Sequence, residues 1–161
     1  MDRTPTVVSM FEALQSYSTQ DQVNNAFQNL AVDISSIINV ANPSSAYSFE
    51  CSLSSMKRRS PDQAGLLIST NHFIDPSWDL SPPEPDSANG WTEARWNNGL
   101  AWAETGKGHL SIELMKDFLS KDITSEAGLF SASTIYQVVA IPQQLKLWLR
   151  APGYFDWQEV A

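Results

Sequence analysis

Leu66-Leu67-Ile68-Ser69-Thr70-Asn71-His72-Phe73 is an apolar run of strand length that ends in polar and aromatic residues. Read as a strand over Leu66–Thr70, it delivers its last residues to the rim of a sheet, where rigid backbone presents side chains to a ligand. Asn71 offers a neutral NH2 donor there, the kind of group that can steady an oxyanion without a change of protonation. The plainer alternative is that Asn71 ends the strand and bonds the following turn.

Working outward from that stretch, the preceding residues also carry a period of two. Ile37–Ala41 reads as a strand, Asn42-Pro43-Ser44-Ser45 as a turn, and Tyr47–Leu53 as a second strand. Tyr47, Phe49, Cys51 and Leu53 share one face, while Ser48, Glu50 and Ser52 share the other, solvated or lining a cleft. Lys57-Arg58-Arg59, beside a Ser-Pro-Asp turn, reads as a solvated loop. Three strands with short links predict an antiparallel meander.

Upstream the period is helical. After Pro5, a first helix carries Val7, Val8, Met10, Phe11 and Leu14 on one face. Thr19 with Gln22 forms a capping box for a second helix, with Val23, Ala26, Phe27 and Leu30 at i, i+3, i+4 and i+7. Both helices read as core packing. Downstream, Asp75 to Asn89 holds four Pro, three Ser and four acidic residues around Trp78, a long loop that neither helix nor sheet accommodates.

A helix over Trp91–Ala103 then ends at Gly106-Lys107-Gly108, which has the wrong spacing for a phosphate loop. Ser111 caps a shorter helix carrying Ile112, Met115, Phe118 and Leu119, with Leu110 as its staple. A hairpin closes the chain: Thr134–Ile141, a turn at Pro142-Gln143-Gln144, and Leu145–Arg150. In its second strand Leu145, Leu147 and Leu149 form the half-buried face. The residues from Pro152 to Trp157 read as an aromatic loop. Helices segregated from an antiparallel sheet make the fold class α+β, and 161 residues predict a single domain over 1–161.

Composition narrows the function. Hydrophobic residues at 42% with 17% charged describe a globular chain. A net charge of −8 argues against a nucleic-acid partner, which needs clustered Lys and Arg. One Cys and two separated His cannot build a zinc cluster, so no metal and no cofactor is expected. No run of 18 apolar residues is present, so no membrane span is expected. The first residues lack a signal-peptide pattern, which leaves the compartment open, cytoplasmic by default. A Ser/His/Asp hydrolase lacks its Gly-x-Ser-x-Gly elbow.

Several strings resemble the C-terminal half of one branch of the N-terminal-nucleophile hydrolases, the isopenicillin-N acyltransferases and related linear-amide hydrolases. Choloylglycine hydrolase-like enzymes and acid ceramidase are more distant relatives in that branch. Thr70-Asn71-His72-Phe73 resembles its Thr-Asn-His-Phe signature, and Phe49-Glu50 its aromatic-plus-Glu strand end. Arg95, in a helix after a loop rich in Asp and Ser, resembles the Arg that follows the signature. Thr134 to Val139 and Leu147 to Gly153 resemble its closing hairpin.

The resemblance implies part of an αββα sandwich and chemistry on a small acyl-amide substrate. In it an N-terminal Cys attacks the amide carbonyl, with its own α-amine as base. Asn71 is then the oxyanion donor, Arg95 orients the site or pairs a carboxylate, and His72 supports the strand end. The alternatives are a surface salt bridge for Arg95 and a packed, singly bonded histidine for His72.

The family's nucleophile and the Arg and Asp that follow it have no counterpart in this chain. Cys51 could serve only after cleavage between Glu50 and Cys51; otherwise it is an inert buried residue. The expectation is therefore a chain inactive alone, with its partner either the missing N-terminal half or a second copy in an oligomer. The alternative is a non-catalytic binding module, with Trp78, Trp91 and Trp96 lining an apolar groove or serving as anchors.

Overall fold

In the first sheet, Ala46–Cys51 (β2) lies between Ser36–Ala41 (β1) and Met56–Arg59 (β3), antiparallel to both. The computed structural model describes residues 5–80, 90–106 and 108–160. It is an α+β fold of two compact units, Met1–Leu80 and Ser81–Ala161.

In the first unit, the meander closes through tight turns. Asn42 accepts from the amides of Ser44 and Ser45 through Oδ1. Ser52 Oγ accepts from the amides of Ser54 and Ser55. These side chains mimic backbone and reverse the strands without glycine. Helix Gln20–Gln28 (α2) starts at a complete capping box: Gln22 N donates to Thr19 Oγ1, and Thr19 N donates to Gln22 Oε1. Its Phe27 meets Phe49 of β2 edge to face at 5.3 Å between ring centres. Ala13, Val32, Ile38 and Cys51 complete the buried cluster, with Val23 and Leu30 packed against it.

Two expectations for this unit are corrected. The third strand is Met56–Arg59, the basic string read as a solvated loop, and Leu66–Thr70 is irregular. Asp62 draws the chain into a turn: its Oδ1 accepts from the amides of Ala64 and Leu66, and its own amide donates to the Leu66 carbonyl. Helix Thr6–Ser16 (α1) also turns its other side inward. Thr6, Ser9 and Ala13 are buried, whereas Val7, Phe11 and Leu14 are 57%, 61% and 79% exposed. Asp33 sets that rotation, because its Oδ1 accepts from both the amide and the hydroxyl of Thr6, at 2.9 and 2.6 Å. A carboxylate at a helix start is favoured by the partial positive charge there.

In the second unit, Gly90–Gly106 (α3) is followed by Ile112–Ser120 (α4), whose Ser111 cap accepts from Leu114 N. Trp102 of α3 stacks on Phe118 of α4, with ring centres 4.5 Å apart. The sheet runs Gln137–Ile141 (β4), Lys146–Ala151 (β5), Phe155–Glu159 (β6), antiparallel throughout. The segment read as an aromatic loop thus supplies a third strand, turned back at Pro152–Gly153 with Gly153 at φ +85°.

The most buried residue of β5 lies on the side opposite the expected leucine face. Trp148 is buried opposite Val139, while Leu145 is exposed in the left-handed region at φ +53°. Leu147 and Leu149 stay half-buried, and the larger aromatic surface of Trp148, which Lys116 and Lys146 flank as cations, takes the fully buried position.

Replacing Phe27 with Ala should remove about 3–5 kcal/mol of stability from the first unit, the usual cost of truncating a packed aromatic. Urea denaturation checks the value, and a loss below 1 kcal/mol would mean the Phe27–Phe49 contact is not central. The Asp33 carboxyl is held below its ordinary range by the Thr6 hydroxyl and amide. Its contribution is therefore complete above an unfolded value of about 3.9 and is lost as pH falls through the lower folded value. Asp33→Asn should make the N-terminal helix fray at neutral pH as acid does in the parent, measured by amide exchange in residues 6–13.

Candidate functional site

The polar side of β2 is where the first unit concentrates its hydrogen bonds. Ser48 and Glu50, two residues apart, project to the same face of the strand. Neither is solvated: both are 0% exposed. The segment after β3 folds over them and supplies their partners.

Glu50 is saturated. Its Oε1 accepts from Arg59 Nη1 at 3.2 Å and Ile74 N at 3.0 Å. Its Oε2 accepts from Asp75 N at 3.2 Å and Trp78 Nε1 at 2.7 Å. A buried carboxylate persists only when its charge and lone pairs are met in this way. Arg59 donates a further bond from Nη2 to the Ile68 carbonyl at 2.7 Å. Next to it, Ser69 Oγ donates to Ser48 Oγ at 2.8 Å.

The consequence for Thr70-Asn71-His72-Phe73 is specific. Ile68 and Ser69 are pinned on one side, and Ile74, Asp75 and Trp78 on the other, all to β2 or to Arg59 of β3. Thr70-Asn71-His72-Phe73 is the four-residue bridge between those anchors. Phe73 stacks on Trp78 at 5.0 Å between ring centres, Thr70 Oγ1 lies 3.0 Å from His72 Nδ1, and Asn71 is exposed. The rim that sequence periodicity assigned to a strand end is thus a strap held down by one buried acid.

Downstream, Asp75 caps the 3-10 turn Pro76–Trp78 by accepting from Ser77 N. Hydrogen bonds from the Ser77 hydroxyl and amide hold its carboxyl below the usual range. Lys57 lies over the Trp78 ring at 4.5 Å. The rest of the acidic, Pro-rich loop, residues 81–89, lies outside the described residues.

Asn71 and His72 belong to the first unit and Arg95 to the second. On α3, Arg95 and Asn98 stand one turn apart and grip the loop after α4. Arg95 donates to the Leu129 carbonyl at 3.4 Å and to Ser131 Oγ at 3.0 Å, and Asn98 Nδ2 donates to the carbonyls of Ile123 and Gly128. Gly128 is required there, because a Cβ would lie 2.1 Å from the Lys121 carbonyl oxygen. Trp91 is exposed and Trp96 half-buried on the same helix; Trp78 serves the first unit.

Cys51 is 1% exposed, paired in β2 with Ser36 and Met56, and burial pushes its thiol up to about 11. A thiol so placed is neither ionised at neutral pH nor accessible. Among the described residues no cluster of His, Cys, Asp and Glu could hold a metal ion, and no helix is long and apolar enough to cross a membrane.

The sequence places Ser48 and Glu50 on the polar face of β2, Arg59 in a basic string read as a solvated loop and Ser69 in the Leu66–Phe73 stretch, but the bonds that join them were not anticipated. The available signal was an acid mid-strand on the polar face, followed nine residues later by an arginine in the paired strand. Compared with protein-family models and with curated proteins, the sequence matches none.

Glu50→Ala should destabilise the first unit by about 3–5 kcal/mol, because it leaves the Arg59 charge and three donors without their acceptor. Chemical denaturation followed by Trp fluorescence checks this; a loss under 1 kcal/mol would contradict the clamp. Thiol labelling of Cys51 should be slow in the native chain and become complete only on unfolding. Rapid native labelling would contradict its burial.

Proposed function

We propose that this chain is the portion of a linear-amide hydrolase or acyltransferase that supplies the neutral oxyanion donor, with the attacking cysteine carried by a separate stretch of polypeptide. The observation that supports it is the Thr70–Phe73 bridge, fixed at both ends and exposed at Asn71. Preorganised donors act best when their positions are set before the reaction begins. The bridge coincides with the string that resembles the family's signature.

In this reading the partner's thiolate sulfur adds to the carbonyl carbon of a small acyl amide. The oxygen becomes negative and accepts a hydrogen bond from Asn71 Nδ2. The tetrahedral centre collapses, its C–N bond breaks, the leaving amine takes the proton that the partner cysteine's own α-amine had accepted from the thiol, and an acyl thioester remains. Water resolves it in a hydrolase and a second nucleophile in a transferase. His72 supports Thr70, and Arg95 orients the loop at residues 129–131.

Cys51 is unsuited to the nucleophile's role, being buried and lacking a free α-amine. That burial also favours a second reading, a non-catalytic binding module on the same scaffold, and one assay decides between them. The chain is co-expressed with an N-terminal polypeptide of a linear-amide hydrolase bearing a processed Cys, and N-acyl amino acids are offered as substrates. Activity is expected, with Asn71→Ala lowering kcat by about 10²–10³, or roughly 2.7–4 kcal/mol of barrier. No activity favours the binding module, and activity indifferent to Asn71→Ala refutes the oxyanion role.

The outward residues Val7, Phe11 and Leu14 of α1 support docking of that polypeptide on this face. In its absence a second copy takes the place. Light scattering of the isolated chain should show concentration-dependent association that Phe11→Glu with Leu14→Glu abolishes. A monomer over a wide concentration range would count against a missing partner.

A further inference from the structure

We propose that Glu50 and Arg59 are positioning residues: together they set the height and direction at which the Thr70–Phe73 bridge presents Asn71. The inference rests on the reading of Asn71 as an oxyanion donor, but the geometry behind it does not.

One carboxylate holds the downstream anchor of the bridge through Ile74 N, Asp75 N and Trp78 Nε1, and it orients Arg59, which holds the upstream anchor at the Ile68 carbonyl. The two ends of a four-residue span are thereby tied to each other through a single ion pair of 3.2 Å, with Glu50 0% exposed. Neither residue is interchangeable with its nearest relative. A Gln at 50 turns an NH2 toward groups that are themselves donors. A Lys at 59 is a point donor that cannot span the Glu50 carboxylate and the Ile68 carbonyl as a planar fork does. The Ser48–Ser69 bond adds a second, uncharged tie on the upstream side. A displacement of one anchor therefore passes to Asn71, which sits between them, without either residue touching a substrate.

Glu50→Gln and Arg59→Lys test this in the full chain by two independent readouts. In Glu50→Gln, amide exchange at Ile74 and Asp75 should quicken about tenfold, the effect of losing roughly one hydrogen bond, and in both variants the Trp78 indole proton resonance should shift. Unchanged exchange and an unchanged indole resonance in both variants overturn the proposal, whatever any assay gives.

In the reconstituted amidase, Arg59→Lys should lower kcat with KM held. Asn71→Ala should then cost markedly less in the Arg59→Lys background than in the parent. Losses that multiply overturn the positioning role, because a purely structural defect reduces the active fraction without coupling to Asn71. If Asn71→Ala is silent in the parent while exchange at Ile74 and Asp75 still quickens, the oxyanion reading fails and the two-ended clamp is confirmed. Where Glu50→Gln does not fold, Arg59→Lys carries the indole-resonance and kinetic readouts, and an unchanged indole resonance there overturns the proposal.

Discussion

A buried carboxylate is the constraint on which the first unit depends. Glu50 faces away from the apolar cluster of Phe27, Ile38 and Phe49, on a side of β2 that would otherwise be open to water. Taking that charge out of water costs several kcal/mol, and an ion pair alone returns only part of it. The remainder comes from peptide and indole N–H groups that the following segment has to bring. The polar side of a three-stranded sheet is thus converted into an interior without a second apolar layer.

This explains why the segment after β3 is irregular. A strand over Leu66–Thr70 would spend its amides and carbonyls on a neighbouring strand, pairing at regular intervals. Here the partners are unevenly placed side chains: Arg59 for Ile68, Ser48 for Ser69, Glu50 for Ile74 and Asp75. The backbone follows those partners instead of a ladder. Apolar content at Leu66, Leu67 and Ile68 satisfies the composition of a strand, but side-chain acceptors decide the path.

Local signals were legible in the sequence where the chemistry is local. The capping box at Thr19 and Gln22, the Ser111 cap, the phase of α2 and the α+β class are each set by residues a few positions apart. Facing was not legible where it depends on a distant partner. The rotation of α1 is fixed by Asp33, 27 residues from Thr6. The inward side of β5 is fixed by Trp148 against Val139 of β4. For the candidate site, the Asn71 bridge was visible as a motif, but its supports were not. The nine-residue spacing of Glu50 and Arg59 hints at a cross-strand pair, but Ile74, Asp75 and Trp78 join it only through contacts 24 to 28 residues away that no local spacing links.

The separation in sequence between Glu50 and its acceptor-bound amides also orders how the first unit assembles. Strands β1, β2 and β3 are joined by short turns, so their loops close at little entropic cost, whereas the ties from Glu50 to Ile74, Asp75 and Trp78 span 24 to 28 residues. The meander can form with its acid still hydrated, and dehydration of that acid is coupled to arrival of the strap. Opening of the strap would readmit water to the same carboxylate and release the Asn71 segment, while the short turns joining β1, β2 and β3 hold no part of those ties.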